Sequence, residues 1–182
     1  MTKKNFKKNI SIIGLGYVGL PLAIEFSKKF NVVGFDLNKN RIEELINCVD
    51  RTNEIPKEEL KKTDVKFTSF KGDLLKTNIY IVTVPTPVDR DKNPNLQNLK
   101  SASKLVGSLL NKNNLVIYES TVFPGATEEL CIPILEKESG LKLNKDFYCG
   151  YSPERVNPGD KDHKLIDILK ITSGSNKKAL KM

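Results

Sequence analysis

The sequence predicts an α/β domain built on a doubly wound parallel sheet. Three observations carry this. Short β-branched apolar runs alternate with amphipathic segments along the chain. The run "IYIVTV" at residues 79–84 is β-branched and apolar, as a central strand covered on both faces must be. Three glycines, Gly14, Gly16 and Gly19, fall between the first apolar run and the first amphipathic one.

Taken in order, residues 10–13 read as a buried strand and 21–29 as a helix. Residues 32–35 read as a second strand, ending at Asp36. Residues 40–47 place Ile42, Leu45 and Ile46 on one helical face. The polar stretch 48–64 reads as a loop with a short helix, and 65–68 as a short strand. The central strand, 79–84, stops at Pro85. Residues 96–110 form a helix with Leu99, Ala102, Val106 and Leu110 on one side. Strand 115–118, helix 125–138 and strand 147–151 follow, and 168–172 is expected as a last strand. No internal repeat or low-complexity linker interrupts the series. All 182 residues are expected to belong to one domain, with its core at 8–175 and 176–182 opening a helix cut short.

The totals agree with a single globular domain. A chain of 182 residues buries about 70% of its unfolded surface. The net charge is +8, but only four of the 30 basic residues are arginines, and the lysines are spread along the chain. That is a solvated lysine-rich surface, not a nucleic-acid stripe. The three cysteines, Cys48, Cys131 and Cys149, are odd in number and lack metal spacing, which argues for a reducing cytoplasm and against a disulfide framework or metal site. The basic start "MTKKNFKKN" and the apolar run after it imitate a signal peptide. The glycine spacing within that run, and the absence of a cleavage motif, argue against one. No segment reaches the roughly 20 apolar residues of a membrane span.

Ligands of such sheets bind beyond the carboxyl ends of the strands, and four of those ends carry distinctive sequence. In "GLGYVG", Gly14 suits the tight turn, Gly16 the close approach of a pyrophosphate, and Gly19 the packing of helix on strand. Asp36 lies 22 residues beyond Gly14, placed to accept hydrogen bonds from an adenosine ribose. A 2′-phosphate would be repelled there, at a cost on the order of a few kcal/mol at ~4 Å, which favours NAD over NADP. The same aspartate would also serve as a simple helix cap. "VPTPVD" is a stiff loop that fits either a wall beside the nicotinamide ribose or a plain proline turn. "ESTVFPGAT" offers Ser120 and Thr121 either to a ligand or as a helix cap. "YSPERVNPGD" sets Glu154 and Arg155 between prolines, as a binding edge or as an exposed salt-bridging turn. His163, the single histidine, lies in a polar run and reads as a surface residue.

Together, "IGLGYVGLPLA", "FDLNKNRI", "VPTPV", "ESTVFPGATEE" and "GYSPERVNPGD" resemble, in order and over nearly the whole chain, the NAD-binding N-terminal domain of the UDP-glucose/GDP-mannose dehydrogenase family. The resemblance implies a Rossmann-type domain of a larger two-domain enzyme. Such an enzyme oxidises the C6 alcohol of a nucleotide sugar to a carboxylate with two NAD⁺, for polysaccharide or capsule precursors. "SPER..PG" looks most like the branch acting on UDP-N-acetylhexosamines. The UDP-glucose branch reads "PEFL.EG", and this chain has Arg155, Val156 and Pro158 at three of its positions.

By the same resemblance, Gly14, Gly16, Tyr17, Val18 and Gly19 hold the pyrophosphate, and Asp36 and Arg41 hold the adenosine ribose. Pro85, Thr86 and Thr121 line the nicotinamide side. Thr121 positions the catalytic water, Glu154 serves acid–base steps, and Glu154, Arg155, Val156 and Asn157 meet the sugar. The resemblance also implies a homodimeric full-length enzyme whose nucleophilic cysteine, in a "GG.C" setting, lies outside these residues. The chain alone is then expected to bind NAD(H) weakly without turning over sugar nucleotide. A UDP-glucose 6-dehydrogenase fragment and a non-catalytic nucleotide-binding module are the alternatives.

Overall fold

The computed structural model describes residues 8–155 and 168–182. Seven strands form one sheet: β1 (Asn9–Ile13), β2 (Asn31–Phe35), β3 (Lys66–Thr68), β4 (Ile79–Val82), β5 (Leu115–Tyr118), β6 (Tyr148–Tyr151) and β7 (Ser173–Gly174). Their order is β3-β2-β1-β4-β5-β6-β7. All neighbours are parallel except β6 and β7, which pair antiparallel. This is the Rossmann-type doubly wound sheet. Its order reverses between β1 and β4, which opens a crevice at their carboxyl ends.

The helices are α1 (Gly19–Ser27), α2 (Lys39–Ile46), α3 (Lys57–Leu60), α4 (Gln97–Gly107), α5 (Ile132–Ser139) and α6 (Lys177–Lys181). Strand side chains alternate between two cores, as period two requires. Ile10, Ile12, Ile79, Ile81 and Leu115 face one core, with Leu20, Ala23 and Ile24 of α1 and Leu45 of α2. Ile13, Tyr80, Val82, Val116 and Tyr118 face the other, with Leu99 and Val106 of α4 and Leu135 of α5. The interior is closely fitted. A Cβ at Gly107 of α4 would lie 2.8 Å from Glu138 Cβ of α5. Tyr118 Oη, fully buried, meets Ser103 Oγ at 2.7 Å.

Two elements differ from their sequence expectation. The helix expected at 125–138 begins with a π-helical turn, Thr127–Cys131, before α5. Pro133 explains it: with no N–H to give to the carbonyl four residues back, it breaks the regular ladder ahead of it. The last strand is Ser173–Gly174, not 168–172. Leu169 and Ile171 are exposed, so their hydrophobicity does not mark a buried strand. Cys131 and Cys149 are buried within the sheet–helix core, and Cys48 is half-buried.

Leu99→Ala is expected to cost about 3 kcal/mol of stability, since Leu99 is fully enclosed between α4 and the sheet. Urea unfolding of the two proteins checks it.

Candidate cofactor site

The turn from β1 into α1 is set by what cannot fit there. Gly14 has φ +98°, a backbone conformation that L side chains rarely adopt. A Cβ on Gly19 would stand 1.9 Å from Gly14 O and 2.5 Å from Thr83 Oγ1. Thr83, buried just past β4, donates its hydroxyl to Gly14 O at 2.8 Å. The helix is therefore pressed directly onto the turn. Gly16 differs: it is exposed, and a Cβ there would meet no protein atom within 4 Å. No packing among the described residues calls for a glycine at 16, and that open backbone is what a pyrophosphate needs. α1 has no acidic residue in its first turn, so its N-terminal N–H groups and positive dipole end are available to an anion. Tyr17 is partly exposed beside Gly16, and Val18 is buried beneath it. These features fit a dinucleotide.

Asp36 stands beside the glycine turn, at the end of β2. Its Oδ2 accepts from Leu15 N and its Oδ1 from Asn38 N, both at 2.9 Å. Each oxygen keeps a second lone pair for ribose hydroxyls. The helix-cap role belongs to Asn38, whose side chain accepts from Arg41 N. Arg41 itself is buried. Its Nε donates to Leu15 O at 2.9 Å and its Nη2 to Asp50 Oδ1 at 2.7 Å. Its Nη1 has no hydrogen-bond partner among the described residues and lies 3.8 Å from Glu44 Oε2.

Beyond β4, β5 and β6 the loops are stitched together. Ser120 Oγ donates to Val84 O at 2.7 Å, Thr86 Oγ1 donates to the carbonyl of Thr121, and Asn98 Nδ2 donates to Pro85 O at 3.1 Å. The structure thus brings Pro85, Thr86 and Thr121 to one edge. On the next strand end, Ser152 N donates to Tyr118 O at 3.0 Å, fixing the start of the Ser152–Arg155 segment. Glu154 is half-buried. Arg155 is exposed, and one guanidinium nitrogen donates to Leu169 O at 3.3 Å. Val156, Asn157 and His163 lie outside the described residues.

Glu119, not singled out from the sequence, belongs to this edge. It is buried at the end of β5 and ion-pairs with Lys170, which lies just ahead of β7. Burial pushes its carboxyl up, Lys170 opposes that, and the charge of Glu154 adds to it. The available signal was a carboxylate directly after the apolar run "LVIY". Burial also pushes the thiols of Cys131 and Cys149 up, away from the thiolate form that a nucleophile requires. Two surface grooves, of about 490 and 440 Å³, lie away from the glycine turn. One is between α1 and α3, around Lys28 and Pro56, and the other is near Asn9 and Asn31 at the amino ends of β1 and β2. Among the described residues no group of His, Cys, Asp and Glu could hold a metal, and no helix is long and apolar enough to cross a membrane.

Comparison with known proteins agrees with this geometry. Residues 8–181 match the NAD-binding domain model of the UDP-glucose/GDP-mannose dehydrogenase family. A UDP-N-acetyl-D-glucosamine 6-dehydrogenase of Pseudomonas aeruginosa is 57% identical over 91% of this chain and 40% of its own length. Protein CapL of Staphylococcus aureus is 51% identical over 96% of this chain and 41% of its own. The solved structure of a UDP-D-ManNAc dehydrogenase from Pyrococcus horikoshii superposes with a TM-score of 0.83 at 36% identity, over 94% of this chain and 42% of that one. The chain thus spans about 40% of the length of these curated relatives.

Gly16→Ala should fold with a stability change within about 0.5 kcal/mol yet bind NAD⁺ at least about tenfold more weakly. Gly19→Ala should instead lose about 1–3 kcal/mol of stability or more, through overpacking. Calorimetric titration and urea midpoints on both variants separate the two effects. Lys170→Met removes the cation that opposes the upward shift of Glu119. Its carboxyl should then titrate at still higher pH by NMR, with stability at neutral pH lower by about 1–3 kcal/mol.

Proposed function

The chain belongs to the UDP-glucose/GDP-mannose dehydrogenase family, and from that premise we propose that it is the cofactor-binding part of a UDP-N-acetylhexosamine 6-dehydrogenase. The observation that carries the cofactor reading is the glycine turn. Gly16 lies open to solvent with no packing reason to be glycine, one residue from the Leu15 amide that Asp36 holds. In this reading Gly14, Gly16, Tyr17, Val18 and Gly19 hold the pyrophosphate, and Asp36 binds the adenosine ribose. The Nη1 of Arg41, 3.8 Å from Glu44 Oε2 and without a hydrogen bond among the described residues, is the nitrogen that would assist it.

NAD⁺, when bound, accepts hydride from C6 of the sugar, and the chain's own residues orient the two. Pro85, Thr86 and Thr121 form the stitched wall on the nicotinamide side, and Thr121 holds the water used in hydrolysis. Glu154 moves the proton in acid–base steps. Arg155, Val156 and Asn157 select the sugar. Cys131 and Cys149 are enclosed and poorly ionised, so neither suits the nucleophilic role, which the family resemblance gives to a thiol in a "GG.C" setting. The parent enzyme acts as a homodimer in the cytoplasm, and its product feeds polysaccharide or capsule synthesis.

The form "SPER" and the names of the relatives favour an acetamido sugar over UDP-glucose.

Isothermal titration should show NAD⁺ binding to the chain, with NADP⁺ at least about tenfold weaker because its 2′-phosphate meets Asp36. No NADH should form from UDP-GlcNAc or UDP-ManNAc at 340 nm. Turnover by the chain alone would overturn the assignment of the thiol to another part of the protein, and equal affinity for NADP⁺ would overturn the role given to Asp36.

A further inference from the structure

Leu15 is the residue between the first two glycines of the turn, and both of its backbone polar groups are held by side chains of opposite charge. Its N–H goes to Asp36 Oδ2 at 2.9 Å, and its carbonyl receives Arg41 Nε at 2.9 Å. Arg41 is in turn held by Asp50, whose side chain is 1% exposed. Asp50 lies in the loop between α2 and α3. Its oxygens accept from Arg41 Nη2 (2.7 Å), Thr52 Oγ1 (2.7 Å), and the amides of Thr52 (3.0 Å), Glu54 (2.9 Å) and Ile55 (3.0 Å). A chain of hydrogen bonds therefore runs from the loop between α2 and α3 to the carbonyl of the glycine turn.

Enclosing a carboxylate and a guanidinium is costly, and apolar side chains of similar volume would seal the same gap. What apolar side chains cannot supply is direction. A planar guanidinium with several donors fixes a carbonyl and a carboxylate at once. The peptide it fixes is the one that leads into the open Gly16 backbone. Resting on the NAD reading above, we propose that Asp50 and Arg41 form a positioning clamp that holds Leu15 in the pyrophosphate-binding conformation. Asp50 then sets cofactor affinity without touching the cofactor. It is a positioning residue that acts through Arg41 and the Leu15 carbonyl.

The test is Asp50→Asn in this chain, with Thr52→Val as a milder variant that leaves the ion pair in place but removes one bond orienting Asp50. Asp50→Asn should weaken NAD⁺ and ADP-ribose alike by about tenfold, the effect of losing one charge-assisted bond. Adenosine binding, read by chemical-shift titration, should fall by less than ADP-ribose binding does, because adenosine meets only the Asp36 and Arg41 end of the site and not the pyrophosphate turn. Thr52→Val should lose less, in the same pattern. Hydrogen exchange at residues 14–17 should quicken in both variants, while that of β5 amides stays at the wild-type rate. Equal losses for adenosine and ADP-ribose, or unchanged exchange at 14–17, would overturn the clamp. If Asp50→Asn does not fold, Thr52→Val decides on the same two readouts. Failure of the wild-type chain to bind NAD⁺ would refute the cofactor reading instead, and the exchange comparison would still judge the clamp.

Discussion

The close approach of α1 to the turn after β1 is the constraint on which the rest of the domain depends. Gly19 sits where a methyl group would overlap the carbonyl of Gly14, and Thr83 fills what space remains from β4. That contact joins the first helix to the two strands at which the sheet order reverses. It fixes the direction of α1, and with it the positive helix end aimed at the crevice. It also brings the end of β4 against the glycine turn, so the loops after β4 and β5 take their reference from the same point.

From there the site is assembled by short polar ties rather than by apolar packing. Ser120 to Val84, Thr86 to Thr121, Ser152 to Tyr118 and Arg155 to Leu169 each link one strand end or loop to another. Directional bonds suit an edge that must stay open to solvent, where a hydrophobic cluster would close it. The charged groups are divided by burial. Glu119 and Asp50 are enclosed with cationic partners, while Arg155 lies at the surface beside half-buried Glu154. Enclosed pairs can orient a loop, and exposed or half-buried groups can meet a ligand.

Much of this was legible in the sequence because the relevant signals are local. Alternating apolar runs gave the parallel strands to within a residue or two, and the glycine spacing marked the turn between β1 and α1, beside which Asp36 stands. What was not legible depended on contacts distant in sequence. Lys170 meets Glu119 across 51 residues, and neither position carries a mark of that pairing. Arg41, with Asp36, suggested a ribose contact. Its burial against Leu15 and Asp50 follows from how α2 docks, which no spacing encodes. The exposed Leu169 and Ile171 imitated a strand because hydrophobicity reports burial only on average. The π-helical turn ahead of α5 was foreshadowed by Pro133, a residue whose local effect is stronger than the helical periodicity around it.

The contrast between Gly16 and Gly19 bears on how such a domain changes over generations. Folding constrains position 19 and leaves position 16 free, since nothing among the described residues presses on it. Drift that abolishes binding can therefore spare the fold entirely. A lineage released from selection for the cofactor should keep Gly14 and Gly19 and lose Gly16 first. The middle glycine is thus the position at which loss of the ligand would first be recorded.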